Sequence, residues 1–97
     1  MDAGVTIGVI IVIAGIILFF FPPREINSFY GYRTSSSMRN KTNWDKANRY
    51  CSRLLIVFGI ILLIFAVVFK STLLNFLTLG VSVVFIYILV EVKILKV

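Results

Sequence analysis

The sequence predicts an all-α membrane protein with three transmembrane helices, in which an amphipathic interfacial helix leads into the second. Hydrophobic residues make up 60% of the chain, and its mean hydropathy is +1.03. A soluble chain of 97 residues has too little interior to bury that much apolar surface. The apolar residues also fall into three long segments. We predict one membrane domain over residues 1–97, with spans near 3–21, 54–69 and 71–90 and a cytoplasmic loop over 22–53.

The first apolar segment, residues 3–21, carries no charge. As a helix it would be about 28 Å long, which is enough to cross the hydrocarbon core of a bilayer. Pro22 and Pro23 end it, because proline lacks an N–H donor and clashes with the preceding turn. We interpret the segment as a retained span. A signal peptide would carry positive charge before the apolar run and small residues after it, whereas Asp2 precedes this run.

The second helix is expected to begin inside the polar loop. Thr42 and Asp45 resemble a weak capping box, so a helix starting there would carry Asp45 near its N-terminus. Its apolar face would contain Trp44, Ala47, Cys51, and Leu54 or Leu55. We expect packing to be the role of Cys51. The opposite face is charged, which predicts an amphipathic interfacial helix running into the second span.

The second and third spans differ in length. Residues 54–69 form a short uncharged segment, which Arg53 and Lys70 can extend by snorkelling toward the interface. Residues 71–90 form a full-length span without charge.

The distribution of basic residues predicts the orientation. Nine of the ten lie in the first connection or the C-terminal tail, and Lys70 lies in the second connection. The nine are Arg24, Arg33, Arg39, Lys41, Lys46, Arg49, Arg53, Lys93 and Lys96. By the positive-inside rule, the N-terminus is expected outside and the C-terminus inside a bacterial cell membrane. Their proximity to the spans predicts contact with anionic lipid headgroups rather than with nucleic acid.

Each span also carries small or mildly polar residues with helical spacing. Such residues let helices approach closely in lipid. They are Gly4, Gly8 and Gly15 in the first span, Ser52, Gly59 and Ala66 in the second, and Asn75, Thr78 and Ser82 in the third. Packing within one three-helix bundle is the favoured interpretation. A homo-oligomer interface and a site for a foreign peptide remain open alternatives.

Side chains suited to catalysis are scarce. The chain has no His, and none of its four acidic residues is spaced from another as a catalytic pair. We therefore predict no enzyme activity, no metal site and no cofactor.

Arg33 is the sharper candidate for ligand binding. With the hydroxyl groups of Tyr32 and Thr34 beside it, its guanidinium suits a phosphate or carboxylate. A lipid contact or a backbone carbonyl is the alternative partner. Trp44 with Tyr30 and Tyr32 is more typical of an interfacial aromatic belt than of a ligand cage.

The polar loop contains a fairly specific motif. It consists of Asn27, Tyr30, Gly31, Tyr32, Arg33, Thr34, Ser37, Met38, Trp44, Ala47 and Asn48. The motif resembles the signature loop of the SdpI family of bacterial membrane proteins, and this chain resembles a minimal three-span form. The resemblance implies immunity against a secreted membrane-active toxin or bacteriocin, with the signature residues in one assembled site. It leaves two alternatives: a scaffold that sequesters a cytoplasmic regulator, or an anionic-lipid headgroup binder.

Overall fold

The structure, a computed structural model, describes residues 3–27 and 29–95. Three α-helices make up the fold of this part of the chain. They are α1 (Ala3–Phe20), α2 (Lys41–Val68) and α3 (Thr72–Leu95). All three are long and apolar enough to cross a membrane, which confirms the predicted fold class. Asp2 and Lys96, on which part of the sequence argument rested, lie outside the described residues.

The surface of the bundle is apolar along all three helices. Large side chains such as Phe20, Val67 and Leu73 are more than 60% exposed. Exposed apolar surface on this scale is stable in lipid and not in water. The chain is therefore a multi-pass membrane protein.

α2 contains both the predicted amphipathic helix and the second span in one continuous helix of 28 residues. Its N-cap is Asn40 rather than the expected Thr42. The Asn40 side chain accepts a hydrogen bond of 2.8 Å from the backbone N–H of Asn43, and Asn is among the strongest N-cap residues. Asp45 instead forms an ion pair of 2.8 Å with Lys41 on the exposed face. At about 42 Å, α2 extends beyond a bilayer core at the end where the loop lies, here called the loop end.

α3 is longer than the expected span, because the helix continues through the charged residues Glu91 and Lys93 to Leu95. No Gly or Pro interrupts that stretch. The start of α3 is set by Ser71, whose carbonyl accepts from the N–H of Asn75 at 3.0 Å. At the loop end, all three helices contribute to an apolar core of Leu18, Ala47, Cys51, Ile86, Val90 and Ile94.

α1 and α2 pack backbone to backbone through glycines. A Cβ placed on Gly15 would lie 2.9 Å from the backbone nitrogen of Ile56, and one on Gly59 would lie 2.9 Å from that of Val12. Side chains other than hydrogen would therefore force the helices apart. α3 packs on α2 and meets α1 in fewer places. One of these is Asn75, whose side chain lies directly against Gly4.

Candidate functional site

The centre of the candidate site is a pair of buried residues one turn apart on α2. Trp44 and Asn48 are 0% and 1% exposed. The indole N–H of Trp44 donates to the carbonyl of Pro23 at 2.8 Å. The Asn48 amide donates to the Trp44 carbonyl at 2.9 Å, and its Oδ1 accepts from the backbone N–H of Tyr32 at 2.6 Å. The first turns of α2 thus hold the loop at two points. Trp44 is enclosed by protein, so it does not belong to an interfacial belt.

Gly31 lets the loop reach Asn48. Its φ angle is +104°, a conformation that residues with a Cβ rarely adopt. A Cβ there would lie 2.5 Å from Asn48 Oδ1 and 2.8 Å from Pro23 Cγ. Both the backbone angle and the space therefore require glycine.

A tight turn from Thr34 to Met38 follows. The backbone N–H of Thr34 donates to Ser37 Oγ at 2.8 Å, and the backbone N–H of Ser37 donates to Thr34 Oγ1 at 3.2 Å. The Ser37 hydroxyl lies 3.0 Å from the carbonyl oxygens of Tyr32 and Thr34. The N–H of Met38 donates to the Thr34 carbonyl at 3.0 Å. Ser37 is fully buried, so these bonds satisfy its polar groups inside the protein.

The loop is also attached to the end of α1. Asn27 Oδ1 accepts from the backbone N–H groups of Phe29 and Tyr30 at 2.9 and 2.7 Å, which forms a side-chain-stabilised turn. The Tyr30 hydroxyl then donates to the carbonyl of Phe21 at 2.7 Å. Partial burial raises the pKa of Tyr30.

Tyr32 extends the network to α3. Its hydroxyl donates to the carbonyl of Tyr87 at 3.4 Å. Burial and then the negative charge of Glu91 raise the pKa of Tyr32 above its ordinary value. The carboxylate oxygen Oε2 of Glu91 is buried without a hydrogen-bond partner among the described residues. The loop therefore contacts the loop ends of all three helices.

We call the mutually bonded residues the clasp. They are Asn27, Tyr30, Gly31, Tyr32, Thr34, Ser37, Trp44 and Asn48. Most of the polar atoms of the clasp are used in holding the loop to the helices. Arg33 and Met38, the other two candidates in the loop, are exposed beside it. Sequence reasoning missed Pro23 and Glu91, since a carbonyl acceptor and a helix-end carboxylate have no distinctive motif.

Arg33 borders a cavity of about 430 Å³ between the loop and the helices. Its walls include the loop residues Tyr30, Gly31, Tyr32 and Thr34 and the apolar helix residues Ala14, Leu18, Cys51 and Leu55. Among the described residues, no three His, Cys, Asp or Glu side chains lie close enough together to hold a metal ion.

Comparison with known proteins places this loop in a family. The sequence profile of the SdpI/YfhL protein family matches residues 24–92, which is most of the chain. The chain belongs to the SdpI/YfhL family. The matched range contains most of the loop, all of α2 and most of α3. The helix-packing residues of α1, namely Gly4, Gly8 and Gly15, lie outside it.

One curated relative is similar to part of the chain. It is the Bacillus subtilis (strain 168) protein described as "Uncharacterized protein YfhL", which is 46% identical over 59 residues. The alignment covers 61% of this chain and 54% of the relative, so the chain spans about half the length of this member of the SdpI/YfhL family. No solved structure matches the chain at a significant level.

The helix-packing candidates lie mainly on faces turned toward another helix. Gly4, Gly8, Gly15, Gly59, Ala66, Asn75 and Ser82 are buried, and Thr78 is half-buried. Gly8 lies against Leu63 of α2. Thr78 bonds its own helix, donating from Oγ1 to the carbonyl of Leu74 at 2.8 Å.

Proposed function

We propose that this chain is an immunity-type integral membrane protein that protects its cell from a secreted membrane-active toxin or bacteriocin. The observation that carries the proposal is membership of the SdpI/YfhL family across the loop and both following helices. The family is one of membrane immunity proteins, and most of the signature residues of this chain build the clasp. The proposal includes the orientation predicted from charge, with the clasp on the cytoplasmic side.

Recognition is assigned to the spans rather than to the clasp. The polar groups of Trp44, Asn48 and Ser37 are bonded within the protein and therefore have little capacity left for a ligand. Between α2 and α3, by contrast, a lipid-facing groove of about 320 Å³ is almost wholly apolar. Its walls include Phe58, Ile61, Leu77, Val81 and Phe85. An apolar segment of a membrane-inserted toxin would fit such a groove, while the clasp fixes the relative position of the helices that form it.

Survival of toxin-sensitive cells tests the proposal. Cells would express wild type, Val81→Trp or Val83→Trp at matched protein levels and be challenged with a panel of membrane-active toxins. Val81 lines the groove, whereas Val83 is equally exposed on the same helix but does not line it. We expect wild type and Val83→Trp to protect and Val81→Trp to fail.

Two outcomes would count against the proposal at different levels. Loss of protection in Arg33→Ala with retention in Val81→Trp would move recognition to the loop. No protection by wild type, together with unchanged sensitivity after deletion of the gene, would refute the immunity function itself.

A second candidate function is tethering of a cytoplasmic regulator. It is supported by Phe29, whose side chain is 90% exposed in the same loop as the exposed Arg33. Aromatic residues and Arg are enriched at protein–protein interfaces relative to the rest of the surface. This function requires that the regulator's membrane-bound fraction be lower than in wild-type cells both when the protein is removed and when it carries Phe29→Ala. An unchanged fraction in both cases would exclude it.

A further inference from the structure

A second cavity at the loop end adjoins the clasp at Asn48. Its volume is about 450 Å³, and it opens between the end of α1 and the first turns of α2. Its polar walls include Arg24, Lys41, Asp45, Arg49 and Arg53. None of the four basic residues belongs to the signature motif, and neither the family comparison nor the proposed function assigns them a role.

The three arginines of this cavity have no acidic partner within the described part of the chain. Lys41 is neutralised by Asp45, to which its ammonium donates at 2.8 and 2.9 Å. Arg24, Arg49 and Arg53 make no ion pair with any carboxylate of residues 3–27 and 29–95. The cavity therefore carries a net positive charge of guanidinium groups, whose planar donors match the oxygens of phosphate.

Arg49 and Arg53 repel each other because they are four residues apart on one helix face. They also border a neighbouring groove of about 340 Å³, together with Lys46, Tyr50 and Lys93. Lys93 itself lies 5.7 Å from the centre of the Tyr50 ring. A bound anion would relieve the repulsion between the two arginines and screen the lysines beside them.

Apart from Asn48 and Ser52 of α2, the other walls of the cavity are apolar and come from the end of α1 and the two prolines that follow it. Leu18, Phe19, Pro22 and Pro23 line it there. Phe19 is 45% exposed, and the uncharged part of α2 begins directly after Arg53. The cavity therefore lies where the apolar spans end, which is the level of the phosphate groups of a bilayer leaflet.

We propose that this cavity binds the phosphate group of an acidic phospholipid through Arg24, Arg49 and Arg53. The glycerol and the first acyl carbons lie against Phe19 and Pro22. A soluble phosphate would satisfy the same guanidinium groups, so the test includes it as the other source of this chemistry. The site is independent of the immunity function, since none of these residues lines the groove between α2 and α3.

The test is native mass spectrometry of the full chain in neutral detergent with phosphatidylglycerol, phosphatidylcholine or glycerol 3-phosphate. Arg49→Gln and Arg53→Gln are the site variants. Arg39→Gln is the matched control, because Arg39 is an exposed arginine of the same loop end and does not line the cavity. All three positions are exposed, so the substitutions leave the core intact, and unchanged circular dichroism would verify this.

We expect phosphatidylglycerol to bind at a stoichiometry near one and each site variant to bind it about tenfold more weakly. Arg39→Gln should stay within about twofold of wild type, because exposed charges outside a site contribute little. If glycerol 3-phosphate binds with the same dependence on Arg49 and Arg53, the ligand is a soluble phosphate. The arginines would then still form the phosphate-binding site. Equal loss in Arg39→Gln, or no loss in the site variants, would overturn the proposal and leave only general attraction to acidic lipid.

Discussion

The backbone N–H of Tyr32 donates to Oδ1 of Asn48 at 2.6 Å, although the two residues are sixteen positions apart. Through this bond the middle of the loop is fixed to a buried turn of α2. The same Asn48 side chain donates to the carbonyl of Trp44, so both halves of its amide are used. Asn48 is therefore the residue on which the attachment of the loop depends most directly.

We predict that Asn48→Ala lowers the free energy of unfolding by about 2–3 kcal/mol, since it removes two hydrogen bonds and leaves the Tyr32 N–H unpaired. An unfolding titration with SDS in mixed micelles would measure the loss. Asn43→Ala is the control. Asn43 also bonds the loop, at the Ser36 carbonyl, but it is only half-buried, so its loss should be about 1 kcal/mol or less. Equal losses for the two variants would contradict the central place of Asn48.

Gly31→Ala should destabilise the protein by about 2–3 kcal/mol, because the new Cβ meets Asn48 and Pro23 and the backbone angle becomes strained. Gly80→Ala is the matched control. Gly80 is an exposed helical residue whose added Cβ would meet nothing within 4 Å. This variant should be neutral or more stable by up to about 1 kcal/mol. The same unfolding titration compares the two variants. A Gly31→Ala protein as stable as wild type would show that the loop can reach Asn48 through another backbone conformation.

Gly59→Leu should separate α1 from α2, because the Gly59 backbone lies against the backbone nitrogen of Val12. We expect a loss of at least about 3 kcal/mol in the free energy of unfolding. Gly80→Leu adds the same bulk on a lipid-facing position and should change stability by less than about 1 kcal/mol. A similar result for both variants would mean that close contact of α1 with α2 is dispensable.

Stability should depend on pH through Tyr32 at alkaline pH. Its pKa in the folded protein is raised above its ordinary value by burial and then by the charge of Glu91, and a side-chain hydrogen bond with Thr34 offsets a smaller part of this rise. The folded state thus favours the neutral phenol, and this contribution is fully present below pH 10 and is lost as the pH rises through the raised pKa. The stability of wild type relative to Tyr32→Phe should be constant from about pH 7 to 9 and fall above about pH 10.

Glu91→Gln provides the control for this pH dependence, since it removes a negative charge that raises the pKa of Tyr32 and should make the alkaline fall shallower. Unfolding titrations at each pH measure both differences. A rise in the relative stability of wild type above pH 10 would be the opposite sign and would contradict the assignment.

The proposed orientation predicts which positions are labelled from outside the cell. Because Cys51 is the chain's one cysteine, replacing it with Ala gives a cysteine-free background. In intact cells a membrane-impermeant maleimide should label Lys70→Cys and spare Ser35→Cys, and both should react after permeabilisation. Both positions lie outside the helices. Labelling of Ser35→Cys in intact cells would invert the proposed topology.

Local sequence features predicted much of the fold and part of the site. The uncharged segment and the Pro22–Pro23 pair after it predicted the ends of α1 to within one residue. Such features act on the backbone only a few residues away, so they can be read from the sequence. The helix face of Trp44, Ala47 and Cys51 was also predicted from spacing, and these residues are buried. The cap was predicted at Thr42 instead of Asn40, since several polar residues compete to start α2 and the loop geometry selects one of them.

The sequence by itself determined the membrane class, the number of spans and the polar loop between the first two, because composition and hydrophobic length decide these independently of packing. Only the tertiary structure decided that Trp44 and Asn48 face inward and bind Pro23 and Tyr32, rather than lying in the membrane interface. It also decided that Arg24, Arg49 and Arg53 share one cavity. Such groupings depend on how three helices and a loop meet in space, and no periodicity along the chain encodes the partner of a hydrogen bond that is formed sixteen or twenty-one residues away.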